Sequence, residues 1–268
     1  MTEPTSGKAE ADEPKLSSQV MSELHEIAGR YPQARSALLP MLHLVQSVEG
    51  CVTTAGIEAC ADILNLTAAE VAAVATFYTM YKRRPVGDHH VGVCTNTLCA
   101  IMGGDAIFER LKDHLDVGND ETTEDGKITL EHIECNAACD FAPVVMVNWE
   151  FFDNQTPESA AQLVDSLRSG EEVRASRGAR ISSWREAERV LAGYPDGRAD
   201  EGPAAGPATL AGLALARRRG WRAPSGDGVP GTKPADVVEA VEQADTQRAE
   251  SETKVSESGA ETKGDKDA

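Results

Sequence analysis

Cys94-Thr-Asn-Thr-Leu-Cys99 and Cys135-Asn-Ala-Ala-Cys139 constrain this chain more than any other stretch, because they bring four soft donors in two closely spaced pairs. A C-x4-C pair and a C-x3-C pair form the ligand set of a 2Fe-2S cluster or of a closed zinc site. Zinc knuckles are usually tight turns with basic or small polar residues, whereas Thr-Asn-Thr-Leu and Asn-Ala-Ala carry no charge and include Leu98, Ala137 and Ala138. That favours a shielded iron-sulfur cluster and leaves zinc as the chemical alternative. A thioredoxin-type dithiol needs C-x-x-C, which neither pair has. Cys51 and Cys60 stand apart in a helical stretch and read as buried small hydrophobes rather than ligands.

The flanking pattern places each pair on the backbone. His89-His90-Val91-Gly92-Val93 reads as a strand entering the first pair, and Ala100 to Leu115 carries Ile101, Met102, Ile107, Phe108, Leu111 and Leu115 at helical spacing. A helix opening just after Cys99 would direct backbone N–H groups at the site and favour thiolates over thiols. Ile128 to Glu134 reads as a strand entering the second pair and Pro143 to Asn148 as one leaving it, continued by a hairpin through Asn154. Thr156-Pro157-Glu158 then opens a helix that closes at Gly170. A β-α-β-β-α order is thioredoxin-like in outline, one of several topologies the pattern permits.

Other candidates carry less. Adjacent strand residues point to opposite faces, so His89-His90 reads as a solvated edge rather than a metal site. No G-x-G-x-x-G follows a strand and no P-loop lysine is found, so Gly103-Gly104 is local punctuation and the chain is not expected to bind a dinucleotide itself. No catalytic residue is assigned.

Upstream, Val20 to Tyr31 and Leu38 to Val45 repeat at helical spacing, with Pro40 either kinking the second run or marking its first turn. Thr53 or Thr54 is placed to cap a third helix, and Thr67-Ala-Ala-Glu70 is a capping box before Val71, Val74 and Phe77. The expected organisation is a disordered leader over 1–15, a helical domain over 16–84, the cysteine-bearing domain over 85–172 and a mostly disordered acidic extension over 173–268. Within the extension, two short helices are expected near Trp184 and over Leu210 to Leu215. From Ala223 onward, eleven acidic residues stand against five basic ones, which marks a disordered tail. The extension should be dispensable for the cluster. Leu210 to Trp221 with Arg217, Arg218 and Arg219 could dock in a partner's groove, although a solvated spacer is the plainer reading.

Composition excludes some classes. Forty-four acidic against 26 basic residues give a formal charge of −18, which argues against a nucleic-acid surface. No run of 18 apolar residues exists, and the N-terminal stretch lacks a signal-peptide core, so a cytosolic protein with no direct membrane insertion is expected. In a reducing compartment, paired cysteines favour metal ligation over disulfides.

From Val20 to Leu167 the chain resembles the thioredoxin-like ferredoxin subunit of respiratory NADH:quinone oxidoreductase (complex I). The resemblance rests on Tyr31 to Gln46, Val74-Ala-Thr-Phe-Tyr-Thr-Met80, Pro85-Val-Gly87, Val93 to Cys99, Asp125-Gly126 and Glu134 to Val144. It implies an α+β fold, a helical bundle followed by a thioredoxin-like 2Fe-2S domain, with Cys94, Cys99, Cys135 and Cys139 as cluster ligands. It further implies an electron-transfer role in the NADH-oxidising module. The chain would dock through its helical part and one domain face on the subunit that holds FMN and the NADH site, among other peripheral-arm subunits. That module would lie peripherally on the cytoplasmic face of the cell membrane. The same subunit in an NAD-linked hydrogenase or formate dehydrogenase is the alternative within the class, and a zinc-stapled adaptor the alternative outside it. Four thiolates, two sulfides and flanking Glu134 and Asp140 lead to an expected low potential. Two departures are visible: Cys51 stands where an aromatic residue is expected, and the chain after about residue 172 exceeds the family's usual end.

Overall fold

The computed structural model describes residues 16–202 and 205–222. The leader over 1–15 and the acidic tail from Ala223 onward lie outside them.

Helices α1 (Ser18–Gly29), α2 (Leu38–Glu49), α3 (Thr54–Leu64) and α4 (Ala68–Phe77) form the N-terminal part. Pro40 falls in the first turn of α2, where its missing N–H would have had no helical partner. Gly50 ends α2 at φ +83°, Thr53 caps α3 by accepting from Gly56 N–H, and Thr67 with Glu70 completes a capping box on α4. Leu24, Ile27, Met41, Leu42, Leu44, Val45, Cys60 and Val71 are buried together in one core.

The second part is a five-stranded mixed sheet in the order β2-β3-β1-β4-β5. Its strands are β1 (His89–Cys94), β2 (Glu121–Thr122), β3 (Ile128–Ile133), β4 (Val145–Val147) and β5 (Glu150–Phe152). β1 runs parallel to β3, with Cys94 opposite Ile133, and antiparallel to β4. Around the cysteines, α5 (Thr97–Ile101) and α6 (Gly104–Leu115) replace the single helix expected from 100 to 115. The break is Gly103 at φ +112°. Val91 and Val93 share one face of the sheet with Ile128, Leu130, Val145 and Val147, packed against α6 and α7 (Pro157–Ser169).

The other face corrects two expectations. β1 is the central strand, so His90 is not on a solvated edge: it is buried, with Nε2 2.6 Å from Glu131 Oε2 and its ring 5.3 Å from that of Trp184. Burial pushes the Glu131 carboxyl up, but hydrogen bonds from His90 and Lys82 outweigh it and leave the group below its ordinary range.

The second correction concerns residues 173–194, which are not a spacer. Ile181 N–H donates to Val173 O, Trp184 N–H to Asp88 O, and α8 (Trp184–Leu191) packs on α2. Trp184 and Glu188 have no exposed surface. Glu188 accepts from Gln46 Nε2 at 2.8 Å and Trp149 Nε1 at 3.0 Å, and its Oε2 lies 2.6 Å from His43 Nδ1. These bonds join the helical part to the sheet, so the folded region does not close at 172. Trp149 itself has φ +73° beside Asn148 at φ +48°, the backbone of a tight β-hairpin turn. Asn148 holds that turn by accepting from His90 N–H and donating to Ser182 O.

The chain divides into two units after Leu210. The last helix, α9 (Pro207–Arg218), crosses that division and carries no buried residue.

Candidate iron-sulfur site

β1 delivers Cys94 at its last position, where its N–H donates to Val144 O at 3.2 Å. Cys99 lies within α5 rather than ahead of a helix start. The chain then turns through Gly103 so that Gly104 lies against the backbone of both cysteines: a Cβ there would be 2.9 Å from Cys99 O and closer still to Cys94 O. Only glycine permits that approach. The glycine pair that reads as punctuation in the sequence therefore shapes the first loop.

The second loop follows β3. Ala137 takes φ +53° and donates its N–H to Cys135 Sγ at 3.4 Å, turning the chain so that Cys135 and Cys139 Sγ stand 3.8 Å apart. Asn96, inside the first motif, donates from Nδ2 to Ile133 O at 3.1 Å and ties the two loops together. The Ala142–Pro143 peptide that follows is cis.

All four cysteines line one cavity of about 240 Å³ with Asn96, Thr97, Leu98 and Ile101. Cys94 and Cys99 are buried, whereas Cys135 and Cys139 are exposed. Burial, reinforced by neighbouring Cys94 and opposed by a backbone hydrogen bond from Val144, pushes the Cys99 thiol up to about 11. That direction runs against the expectation that the adjoining helix favours a thiolate, because burial outweighs the backbone hydrogen bond. Cys135 raises its neighbour Cys139 in the same sense.

The donor set fits an iron-sulfur cluster in kind. The cavity is lined by four sulfurs and no imidazole or carboxylate. The 3.8 Å between Cys135 and Cys139 is the edge of a tetrahedron with metal–sulfur distances of about 2.3 Å. Cys51 and Cys60 are buried away from the site, and burial pushes the Cys60 thiol up to about 12.

Asp140 beside Cys139 is not a free charge. The Thr209 hydroxyl donates to it and Arg177 lies 3.3 Å away, and together they hold its carboxyl below the ordinary range. Arg177 comes from beyond the expected boundary, and nothing local in its sequence marks it. Asn96 was legible only as a member of the cysteine motif.

Comparison with known proteins places the chain in a family. The family model for thioredoxin-like 2Fe-2S ferredoxins matches residues 24–168. The NADH-quinone oxidoreductase E subunit of Mycobacterium tuberculosis is 66% identical over 200 residues, covering 74% of this chain and 79% of that protein. The protein of the same name from Rickettsia bellii is 39% identical over 152 residues, 56% of this chain and 91% of its own length. Among solved structures, the thioredoxin-like 2Fe-2S ferredoxin of Aquifex aeolicus aligns with 36% of this chain and 99% of its own, at 21% identity and a TM-score of 0.27.

Proposed function

This chain belongs to the thioredoxin-like 2Fe-2S ferredoxin family, and from that premise we propose that it is the electron-transfer subunit of the NADH-oxidising module of an NADH:quinone oxidoreductase. Cys94, Cys99, Cys135 and Cys139 would hold one 2Fe-2S cluster. The observation that carries this reading is the convergence of four thiols from two loops on one cavity free of other ligating groups. The cluster, when bound, supplies one-electron chemistry without making or breaking a bond in the protein.

The chain's own residues divide the remaining work. Buried Cys94 and Cys99, under the backbone of Gly104, keep water from one side of the site. Cys135 and Cys139 leave the other side at the surface. Leu98, Ile101 and Met102 stand exposed around the first loop, Ile101 with 76% of its surface free. Such an apolar collar beside a redox centre suits docking on a partner that delivers electrons over a short distance, here the FMN- and NADH-binding subunit. Membership of a quinone-reducing complex would place the chain peripherally on the cytoplasmic face of the cell membrane. No described helix is long and apolar enough to cross a membrane.

Iron, sulfide and zinc analysis with EPR of the reduced protein tests the reading. Two irons and two sulfides per chain with an S = 1/2 signal are expected. Zinc without iron, and no such signal, would overturn it. Co-purification with an FMN-containing, quinone-reducing assembly tests the choice of complex, and recovery with hydrogenase or formate dehydrogenase activity instead would refute that choice.

A further inference from the structure

The match to the family model ends at residue 168, yet the chain beyond it returns to the second cysteine loop. Ser176 N–H donates to Phe151 O at 2.9 Å, and Arg177 bridges Phe151 along the outer edge of β5. Asp153 N–H donates to Ser176 Oγ at 3.0 Å. This pairing covers the sheet edge and fixes the direction of the Arg177 side chain, of which only 10% is exposed. Its guanidinium lies over the rings of Phe141 and Phe151, 5.3 Å from each centroid. Nη1 is 3.3 Å from Asp140, and Nη2 is 2.9 Å from Asp153 and 3.5 Å from Ala138 O. Ala138 and Asp140 are the two chain neighbours of Cys139. A planar fork stacked between rings is a geometry arginine supplies and lysine does not.

We propose that Arg177 is a positioning residue for the second ligand loop, holding both neighbours of Cys139 and supplying the positive charge that offsets Asp140 and Asp153 when the site accepts an electron. The role rests on the cluster reading above. Reduction adds one negative charge to thiolate and sulfide ligands, so a fixed cation beside them favours the reduced form, while uncompensated carboxylates disfavour it. Losing the arginine should make the site harder to reduce. Losing one of its carboxylate partners should make it easier.

The test is an EPR-monitored redox titration of the intact chain in wild-type form and as Arg177→Gln, Arg177→Lys and Asp153→Asn. In Arg177→Gln, the reduced-to-oxidised ratio at the wild-type midpoint should fall at least about threefold, a negative shift of about 28 mV at 59 mV per tenfold for one electron. Arg177→Lys, which restores the charge, should recover more than half of that displacement. Asp153→Asn should shift the midpoint in the positive direction. An unchanged midpoint in Arg177→Gln, or one displaced equally by lysine, overturns the proposal. Where Arg177→Gln does not retain iron, Asp153→Asn decides, and an unmoved midpoint there is equally fatal. Wild-type protein lacking iron and sulfide would remove the cluster reading and this role with it, an outcome distinct from a loaded wild type whose variants do not shift.

Discussion

Glu188→Ala probes whether the segment after residue 172 is part of the fold. Glu188 has no exposed surface, and its carboxylate meets His43, Gln46 and Trp149, which belong to α2 and to the β4–β5 turn. The three contacts span 145, 142 and 39 residues of chain, so none is a local helix interaction. A hydrogen bond to a charged acceptor contributes about 1.5–3 kcal/mol. The low end for each of the three is appropriate, because water can enter the vacated space, and gives a loss of about 4.5 kcal/mol. For a folded region of this length, each kcal/mol moves the melting temperature by about 2–4 °C, so a fall of at least about 9 °C is expected. Far-UV circular dichroism of the iron-loaded protein measures it. Glu186→Ala is the control: its exposed carboxylate accepts from the Ser183 N–H and hydroxyl, and losing that capping contact should cost about 1 kcal/mol. If the two variants melt together, within about 3 °C of wild type, α8 is a dispensable attachment and the reasoning fails.

Alanine at Cys94, Cys99, Cys135 or Cys139 should abolish visible absorption, whereas alanine at Cys51 or Cys60, both buried outside the site, should leave it intact; loss of colour in either of the latter would mean the ligands are misassigned. Gly104→Ala pushes a methyl group into the carbonyls of Cys94 and Cys99 and should cost about 1–3 kcal/mol with reduced iron occupancy; full occupancy would show that the first loop tolerates the displacement. With its thiol raised to about 11, Cys99 is about one part in a thousand thiolate at pH 8, so in metal-free protein iodoacetamide should modify exposed Cys135 well before Cys99. Peptide mapping over time gives the order, and equal rates would contradict the burial argument. Raising the pH toward 11 should accelerate Cys99 selectively, because the reactive form is the one that burial suppresses.

Much of the helical and cysteine-bearing parts was legible because their signals are local. Thr53, Thr67 and Thr156 cap helices within three residues of themselves. The alternation in β1 and the apolar spacing of α6 need no knowledge of what packs against them. The four cysteines announced their chemistry by type and spacing. The break at Gly103 was harder, since Ile101 and Met102 continue the helical period of Ile107 and Leu111 yet stand exposed on the far side of the turn. A glycine pair can be a weak spot in one helix or a junction between two. What decides is the approach of Gly104 to Cys94, which is a contact across the loop.

The stretch from 173 to 194 misled for a related reason. Its charged residues, among them Arg177, Arg185, Glu188 and Arg189, give it the composition of a solvated spacer, and an eight-residue helix is marginal alone. It is held by the buried Trp184 and by the Glu188 hydrogen bonds, both of which depend on distant partners that no local window reveals. The more telling signal was upstream in α2, where Met41, Leu42, Leu44 and Val45 are flanked by His43, Gln46 and Ser47, and all seven are buried. A helix that is apolar around most of its circumference has no solvent face on which to leave an imidazole and a carboxamide. Buried polar groups need partners, and the described neighbours of α2 in the helical part are mostly aliphatic. Gln46 finds partners within the helical part in Met80 O and Lys82 N–H, and Ser47 donates to Leu44 O, but the His43 imidazole needs a polar group from elsewhere in the chain, and Glu188, the only fully buried carboxylate among the described residues, supplies it from α8.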